Sequence, residues 1–297
     1  DLPGVMLASS FEKYIHRYGV VPESEPVIFT NNSSTFSLVK SLVDLGCKPL
    51  AYIDNRNDSS IGKDILDFLK NNNIQTYTSS EVEGCDGGNT LKQISIRDDK
   101  KNIIKIKTSM LCISGGINPD VNLFTQSKGL IKWDTNYLTF KPDSPFQDTI
   151  TLGSASGNFN YQKINEEINN KLAFLKETKV KISTNISDDF NIKEIWDTKQ
   201  EKETLWSKSF IDLQNDVTTK DLSQAVTEGF DRIEHLKRFT TNSMGTDQGK
   251  ISSINSLGIV SKILNKNISD VGTTIYRPPY APLSFSAIAG RNTYEFY

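Results

Sequence analysis

The sequence has few of the residues on which metal and thiol chemistry depends. Three cysteines (Cys47, Cys85 and Cys112) and two histidines (His16 and His235) occur among 297 residues. The cysteines are scattered and odd in number, which argues against a disulfide framework and favours a reducing, cytoplasmic compartment. With no Cys-x-x-Cys pair and no histidine pair at helical spacing, a zinc or iron–sulfur site has no ligand set. We therefore expect no metal site, and a catalytic pair of the Cys–His or Ser–His kind would have to use one of the two histidines.

Long hydrophobic runs and a charge excess are also missing. The longest apolar run, at residues 110–113, is far shorter than the ~20 residues of a membrane-spanning helix. The 34 basic and 36 acidic residues leave a net charge of −2, which provides no strong field to attract nucleic acid or an anionic membrane. A mean hydropathy of −0.41 is typical of globular chains, and the length suggests two domains.

The first 80 residues alternate between strand and helix patterns. Apolar residues at helical spacing predict helices at 34–45 and 61–69. Short apolar runs predict the strands that flank them, at residues 27–30, 50–54 and 75–80. This β-α-β-α-β order is typical of a parallel nucleotide-binding sheet, so we predict an α/β fold of Rossmann type.

The rest of the chain follows a different plan. We predict a β-hairpin over residues 90–108 and a buried strand at 110–114. A strand at 150–152 then leads through a glycine-rich turn into a helix. Residues 176–208 are polar and read as a linker anchored by Trp196 and Trp206. Helical patterns dominate the last hundred residues, where Thr218 and Asp221 have the spacing of a capping box.

The glycine fingerprint of a dinucleotide site is absent after the first predicted strand. Such glycines let backbone N–H groups approach the pyrophosphate at the helix N-terminus. Here the turn at residues 30–34 reads Thr-Asn-Asn-Ser-Ser, although Asp54 stands where a ribose-binding acid belongs. Either the Asn and Ser groups form an unusual phosphate site, or the domain has lost its nucleotide, and we favour the second reading.

Two other glycine turns are better placed to meet a phosphate. Gly115 and Gly116 end a buried strand, and residues 153–157 (Gly-Ser-Ala-Ser-Gly) precede a helix. Both turns would let backbone amides approach a cofactor. Ordinary strand-end turns remain the alternative explanation.

Several long motifs resemble the alpha subunit of heterotetrameric sarcosine oxidase, and they occur in order along the chain. The first residues, Asp-Leu-Pro-Gly-Val-Met, also resemble the strand-exit segment of two-dinucleotide flavoprotein reductases. The motifs are Ser-Gly-Gly-Ile-Asn-Pro (114–119), Asp-Leu-Gln-Asn-Asp-Val-Thr (212–218), Glu-His-Leu-Lys-Arg-Phe-Thr-Thr (234–241), Met-Gly-Thr-Asp-Gln-Gly-Lys (244–250) and Thr-Thr-Ile-Tyr-Arg-Pro-Pro-Tyr (273–280).

This resemblance implies a multisubunit oxidoreductase. The complex demethylates sarcosine to glycine, passes the one-carbon unit to tetrahydrofolate and forms hydrogen peroxide. NAD binds in the alpha subunit, FAD in the beta subunit oxidises the small amine substrate, and a covalent FMN lies at the alpha–beta interface. The implied partners are the beta, gamma and delta subunits, with neither nucleic acid nor membrane. Chemistry on the partner's flavin agrees with the lack of a catalytic residue here.

The resemblance also implies a domain plan. We expect the first glycine-rich NAD-binding half upstream of Asp1 and a folate-binding domain beyond the end of the chain, so that the isolated chain would be unstable or inactive. The expected segments are a truncated NAD-binding domain (1–25 and 109–175), an inserted degenerate nucleotide-binding-like domain (26–108), a linker (176–208), a helical domain (209–275) and a lead-in to the folate domain (276–297).

The helical domain resembles one that carries a 2Fe–2S cluster in related amino-acid dehydrogenases. Asp212, Gln214 and Asp247 fall near the expected cysteine positions. Carboxylate and amide oxygens do not replace thiolates in holding such a cluster, so we expect it to be lost.

The resemblance assigns cofactor contacts to two groups of residues. NAD would be bound by Gly115, Gly116, Gly153, Ser154, Ala155 and Asn158, mainly through backbone amides. FMN would be faced by Thr240, Thr241, Thr246, Gln248, Lys250 and Arg277, of which Lys250 and Arg277 could contact its phosphate, or else be ordinary surface charges.

Two other functions remain open from the sequence. The chain could be a non-catalytic scaffold module of the complex, a reading that the missing fingerprint favours. It could also belong to a related dehydrogenase of the dimethylglycine or proline type.

Overall fold

Two compact units make up the chain. The computed structural model describes residues 2–21, 25–172, 191–198, 209–277 and 283–289. Unit 1 comprises residues 1–117, 135–138 and 187–207, and unit 2 comprises residues 118–134, 139–186 and 208–297. Most of the predicted linker, including Trp206, and most of the predicted lead-in lie outside the described residues.

A five-stranded parallel sheet forms the centre of unit 1, in the order β1-β8-β2-β3-β4. Its strands are β1 (Val5–Leu7), β8 (Leu111–Ser114), β2 (Val27–Thr30), β3 (Ala51–Asp54) and β4 (Gln75–Tyr77). A three-stranded antiparallel sheet consists of β5 (Glu81–Asp86), β6 (Gln93–Arg97) and β7 (Ile103–Lys107). The described residues of unit 1 also form three α-helices: α1 (Ala8–Tyr18), α2 (Phe36–Asp44) and α3 (Lys63–Asn71).

The side chains of the parallel strands point alternately to the two faces of the sheet, and each face packs against its own layer of unit 1. Ile28 and Tyr52 point into a core shared with α1, α2 and α3, whereas their neighbours Val27 and Ile53 point into a second core shared with β5 and β6. Successive side chains of a strand face opposite sides, so a strand buried on both faces reads as a continuous apolar run. The predicted β-α-β-α-β run is thereby confirmed, with helices on one face and the antiparallel sheet on the other.

The strand order joins segments that the sequence assigned to different domains. Strands β1 and β8, from the predicted NAD-binding segments, pair with each other, and β8 pairs with β2 of the predicted inserted segment. Periodicity predicts that a strand exists but does not specify its neighbour. Helix α1, which the sequence reading did not include, ends at Gly19 with a φ of 64°, whose N–H bonds back to the Ile15 carbonyl.

Unit 2 contains two small hairpins and a set of helices. Its strands are β9 (Leu130–Asp134), β10 (Thr139–Ser144), β11 (Phe210–Asp212) and β12 (Val217–Thr218). Its helices are α4 (Asn122–Gln126), α5 (Tyr161–Lys171), α6 (Thr219–Thr227), α7 (Ile233–Thr240), α8 (Ser252–Leu264), α9 (Ile268–Val271) and α10 (Phe285–Ala289). The predicted α/β class followed by a helical region is confirmed.

Local chemistry sets several boundaries in unit 2. The predicted capping box forms: the Thr218 hydroxyl accepts from the Asp221 N–H, and the Asp221 carboxylate accepts from the Thr218 N–H. The strand expected at 150–152 is wrong, because a 3-10 turn at Gly153–Ser156 follows irregular backbone. Among the described residues, no helix combines the length and hydrophobicity that crossing a membrane requires.

Candidate functional site

Several buried polar side chains of unit 1 lie together at the carboxyl ends of β8, β2 and β3. Ligands of open α/β sheets bind outside this edge, where loops leave the strands. The edge consists of the turn at residues 30–34, residues 54–56 and Ser114 to Gly116. Thr30, Asn31, Asn32 and Asp54 are all buried there.

The asparagine side chains of the turn after β2 form hydrogen bonds within the turn and with other parts of the chain. Asn32 Oδ1 accepts the N–H of Ser34 at 2.8 Å, which caps the 3-10 turn that leads into α2. Asn32 Nδ2 donates to Asn31 Oδ1 at 2.7 Å. Asn31 Nδ2 reaches the carbonyls of Lys193, at 2.8 Å, and Gly115, at 3.3 Å. Groups that would meet a phosphate in a glycine turn are therefore hydrogen-bonded within the chain.

Asp54 lies at the predicted position, but its carboxylate oxygens are already hydrogen-bonded within the chain and do not face a ribose site. Its Oδ2 accepts from Arg56 Nη2 at 2.8 Å, and its Oδ1 accepts from Arg56 Nε at 3.0 Å and from the Arg56 N–H at 2.9 Å. Both side chains are at most 1% exposed. Burial raises the pKa of the Asp54 carboxyl, while the Arg56 contacts and the nearby charge of Lys193 oppose that rise. The sequence reading missed Arg56, although a cation two residues after a strand-end acid is a usable signal.

Gly115 and Gly116 are exposed where β8 ends. Gly116 has a φ of 130°, a conformation that glycine adopts without strain. A Cβ on Gly115 would meet no atom within 4 Å, and one on Gly116 would meet only Ile192 Cδ1, at 3.6 Å. The backbone here is thus accessible, as the NAD assignment requires.

The glycine turn of unit 2 already holds an anion. The N–H of Gly153 and the hydroxyl of Ser156 donate to Glu167 Oε2 at 3.1 and 3.0 Å. The Asn158 N–H donates to the Gly153 carbonyl, which closes the turn. Ser154 is exposed and Ala155 is half-buried. This turn belongs to unit 2, whereas Gly115 and Gly116 belong to unit 1.

Partial burial acts to raise the pKa of Glu167, but its hydrogen bonds outweigh burial. Lys171 Nζ donates to Oε1 at 2.7 Å, in addition to the donors of Gly153 and Ser156. Together they hold the pKa of Glu167 below its ordinary value.

Asp212 accepts hydrogen bonds both from the loop at residues 240–250 and from the loop between β11 and β12. Its Oδ2 accepts the N–H of Ser243 at 2.7 Å, and its Oδ1 accepts the N–H groups of Gln214 and Asn215 at 2.9 and 3.3 Å. Asp212 is 3% exposed. One buried carboxylate therefore connects this loop with the loop between β11 and β12.

The predicted FMN residues occupy different parts of this loop. Thr240 bonds the Leu236 carbonyl at the end of α7, and Thr241 follows in the left-handed conformation. Gln248 Oε1 accepts the N–H of Arg277 at 3.3 Å, which brings two predicted residues together. Arg277 and Lys250 are both exposed. The last predicted residue, Thr246, donates to Gln214 Oε1 at 3.2 Å.

The three positions expected near lost cluster ligands do come together. Gln214 Oε1 accepts from the Asp247 N–H at 3.3 Å, and the Asp212 carboxylate accepts from the Gln214 N–H. Over the part of the chain that the structure describes, no group of three His, Cys, Asp or Glu residues could hold a metal ion. Hydrogen bonds among the side chains and backbone connect these loops.

A basic cluster beside this loop was missed by the sequence reading. Lys237 is partly desolvated, which lowers the pKa of its ammonium, and the positive charges of Arg277 and Arg238 lower it further against the opposing effect of Glu234. Lys237 also lines a cavity of about 10 Å³ with Asn242, which is 1% exposed and whose Oδ1 has no hydrogen-bond partner among the described residues. Lys237 lies in the last turn of α7, three residues before Thr240, and this helical spacing could have signalled it.

Comparisons with known proteins agree with these features. The family model described as the sarcosine oxidase A3 domain matches residues 206–291. The sarcosine oxidase subunit alpha of Rhizobium meliloti (strain 1021) is 29% identical over 99% of this chain, and that of Corynebacterium sp. (strain P-1) is 28% identical over 99%. The chain spans 29% and 32% of the lengths of these two relatives.

A solved structure shares the fold. The crystal structure of L-proline dehydrogenase from P. horikoshii superposes with a TM-score of 0.59 and 19% identity, covering 98% of this chain and 55% of that one. At this identity the likeness concerns the fold alone. The resemblance predicted from the sequence motifs is confirmed: over 99% of its length, the chain is similar to the sarcosine oxidase alpha subunit.

Proposed function

We propose that the chain acts within the alpha subunit of a multisubunit sarcosine oxidase, in a complex with beta, gamma and delta subunits. The complex would demethylate sarcosine oxidatively to glycine, transfer the one-carbon unit to tetrahydrofolate and form hydrogen peroxide in the cytoplasm. The observation that carries this proposal is the similarity to two such subunits over 99% of the chain, with the A3 domain match at residues 206–291.

In this proposal the chain's own part is to bind NAD through its glycine turns. The Gly153 N–H and the Ser156 hydroxyl donate to the Glu167 carboxylate, so these donors suit an anion, and a pyrophosphate would bind them by displacing Glu167. In unit 1, the exposed backbone of Gly115 and Gly116 would allow close approach of a cofactor phosphate. Ser154, Ala155 and Asn158 would complete the contacts of the unit 2 turn.

The loop at 240–250 would contribute to an FMN interface with the beta subunit. Lys250 and Arg277 would neutralise the phosphate, while Thr240, Thr241, Thr246 and Gln248 would offer hydrogen bonds to the ring or ribityl chain. The exposure of Lys250 and Arg277 and the basic surroundings of Lys237 support this assignment. The flavins would supply the redox chemistry, with FAD in the beta subunit oxidising the amine; this chain would orient the phosphate and hold the loop.

Native mass spectrometry of the purified complex tests the cofactor assignments, and a panel of N-methyl and cyclic amines tests the substrate. We expect NAD and FMN in the complex, and lower FMN content and oxygen turnover in Lys250→Ala and Arg277→Ala. Lys262→Ala on the exposed side of α8 is the matched control. Unchanged FMN content in both variants would exclude the proposed FMN interface.

A scaffold function is the second candidate. The observation in its favour is the carboxyl edge of unit 1, where Asp54 and the turn after β2 are hydrogen-bonded within the chain. A complex that turns over sarcosine but contains no NAD would support this function instead. Preferential turnover of dimethylglycine or proline would favour a related dehydrogenase.

A further inference from the structure

The carboxyl edge of the unit 1 sheet holds a peptide where a nucleotide-binding sheet holds phosphate and ribose. Residues 191–193 (Asn-Ile-Lys), here called the docking segment, lie across this edge in the same compact unit. More than 130 residues of sequence separate them from the side chains that they contact after β2 and β3. We propose that this edge is a built peptide-docking site and that its occupant is the chain's own docking segment.

The turn after β2 recognises the backbone of the docking segment. The N–H of Lys193 donates to the Asn31 carbonyl at 3.1 Å, and Asn31 Nδ2 donates to the Lys193 carbonyl at 2.8 Å. Asn31 thus contacts both polar groups of one peptide residue, and it is 2% exposed. A glycine has no side-chain amide for the second bond, so this occupant accounts for an asparagine in a turn where a nucleotide requires glycine.

Arg56 recognises the other end of the docking segment. Its Nε and Nη2 are held by Asp54, and its Nη1 donates to the Asn191 carbonyl at 2.7 Å and to Ser33 Oγ at 3.1 Å. A buried guanidinium needs acceptors for its remaining donors. A peptide carbonyl supplies one without adding charge to the site.

The side chain of Lys193 completes the recognition. Its Nζ donates to the Asn55 carbonyl at 2.6 Å, and Asn191 Nδ2 donates to the Ser60 carbonyl at 3.3 Å. The docking segment is therefore bound through the carbonyls of Asn191 and Lys193, the N–H of Lys193, the side-chain amide of Asn191 and the ammonium of Lys193. With both Asp54 oxygens bound to Arg56, no carboxylate is left for a ribose diol.

Trypsin cleavage after Lys193 tests the proposal. Lys193 is exposed, but its backbone N–H, its carbonyl and its Nζ are hydrogen-bonded at the edge, and the protease must bind these same groups. In the full chain, we expect Asn31→Ala to raise the rate of this cleavage about tenfold, since it removes a backbone contact. Asn72→Ala is the matched control, because the side-chain amide of Asn72 donates to the Phe68 carbonyl on α3. Mass spectrometry of the digest separates this cleavage from others.

A second variant guards against misfolding of the first. Lys193→Arg leaves the sheet unchanged and keeps a trypsin site. Two short peptides with the wild-type and variant sequences around residue 193 measure the intrinsic preference of trypsin for arginine. Beyond that preference, we expect faster cleavage of the variant chain at residue 193, because a longer guanidinium does not fit the Asn55 contact. Millimolar ADP should leave cleavage of the wild-type chain unchanged. Cleavage of both variants at the wild-type rate, or release of the segment by ADP, would overturn the proposal.

Discussion

The backbone N–H of Gly153 donates to Oε2 of Glu167 at 3.1 Å, so a carboxylate from α5 occupies the turn that we assign to the NAD pyrophosphate. Lys171, one helical turn further along α5, donates to the other oxygen at 2.7 Å. The glycine turn is therefore stabilised by a negative charge of its own unit, and its conformation should depend on the protonation of Glu167.

The first prediction concerns pH. The pKa of Glu167 is held below its ordinary value of 4.5, so the folded chain binds this proton less readily than the unfolded chain does. The stabilisation is present in full above the ordinary pKa and is lost as the pH falls through the folded one. Urea unfolding from pH 6 to pH 3 should show a difference in unfolding free energy between wild type and Glu167→Gln of about 1 kcal/mol at pH 6, which disappears toward pH 3.

Glu166→Gln is the control for this experiment. Glu166 is the neighbouring carboxylate on α5, and its replacement should leave the pH dependence of unfolding as it is in wild type. If Glu167→Gln retained the wild-type pH dependence, the carboxylate would not be the group that stabilises the turn.

The second prediction concerns the buried pair Asp54–Arg56. Asp54→Leu would leave the guanidinium of Arg56 buried without its counter-ion, which costs about 3–5 kcal/mol of unfolding free energy. The double variant Asp54→Leu/Arg56→Met removes both charges and should be more stable than Asp54→Leu alone. Chemical denaturation of the three proteins measures this recovery, and a double variant no more stable than the single one would contradict it.

Local patterns predicted much of unit 1, because alternation and helical spacing are properties of neighbouring residues. Val27 to Thr30 was predicted as a strand on its apolar run, and the Thr218–Asp221 box on its spacing. The pairing of β8 with both β1 and β2 was not predictable in this way, because it joins residues about 80 or more positions apart. The bond from Asn31 to Lys193 spans 162 positions and has no local signal.

In the candidate site, too, features that depend on local sequence were predicted and features that depend on long-range contacts were not. The glycine turns were proposed as phosphate contacts from residue type, whereas Lys250 and Arg277 were proposed from the family resemblance. The roles of Arg56 and Glu167 depend on which side chain reaches them in the folded chain, so the sequence reading assigned neither. Asp54 was placed correctly at the end of β3, but its availability to a ligand depended on Arg56.

The third prediction concerns Asp212, whose carboxylate joins two loops of unit 2. Asp212→Ala leaves the N–H groups of Gln214, Asn215 and Ser243 without their acceptor. Hydrogen bonds to a buried charge are among the stronger ones, so the free energy of unfolding should fall by about 2–3 kcal/mol. Because Ser243 belongs to the proposed FMN loop, the complex should also lose FMN.

Asp216→Ala is the matched control for Asp212→Ala. Asp216 is exposed in the same β11–β12 loop, so its replacement should change stability by less than about 0.5 kcal/mol and leave the FMN content unchanged. Asp212→Asn keeps one acceptor oxygen, so its free energy of unfolding should lie between those of Asp212→Ala and wild type. Equal stability of Asp212→Ala and Asp216→Ala would mean that the carboxylate does not hold the loop, and normal FMN content with reduced stability would place the loop away from the flavin.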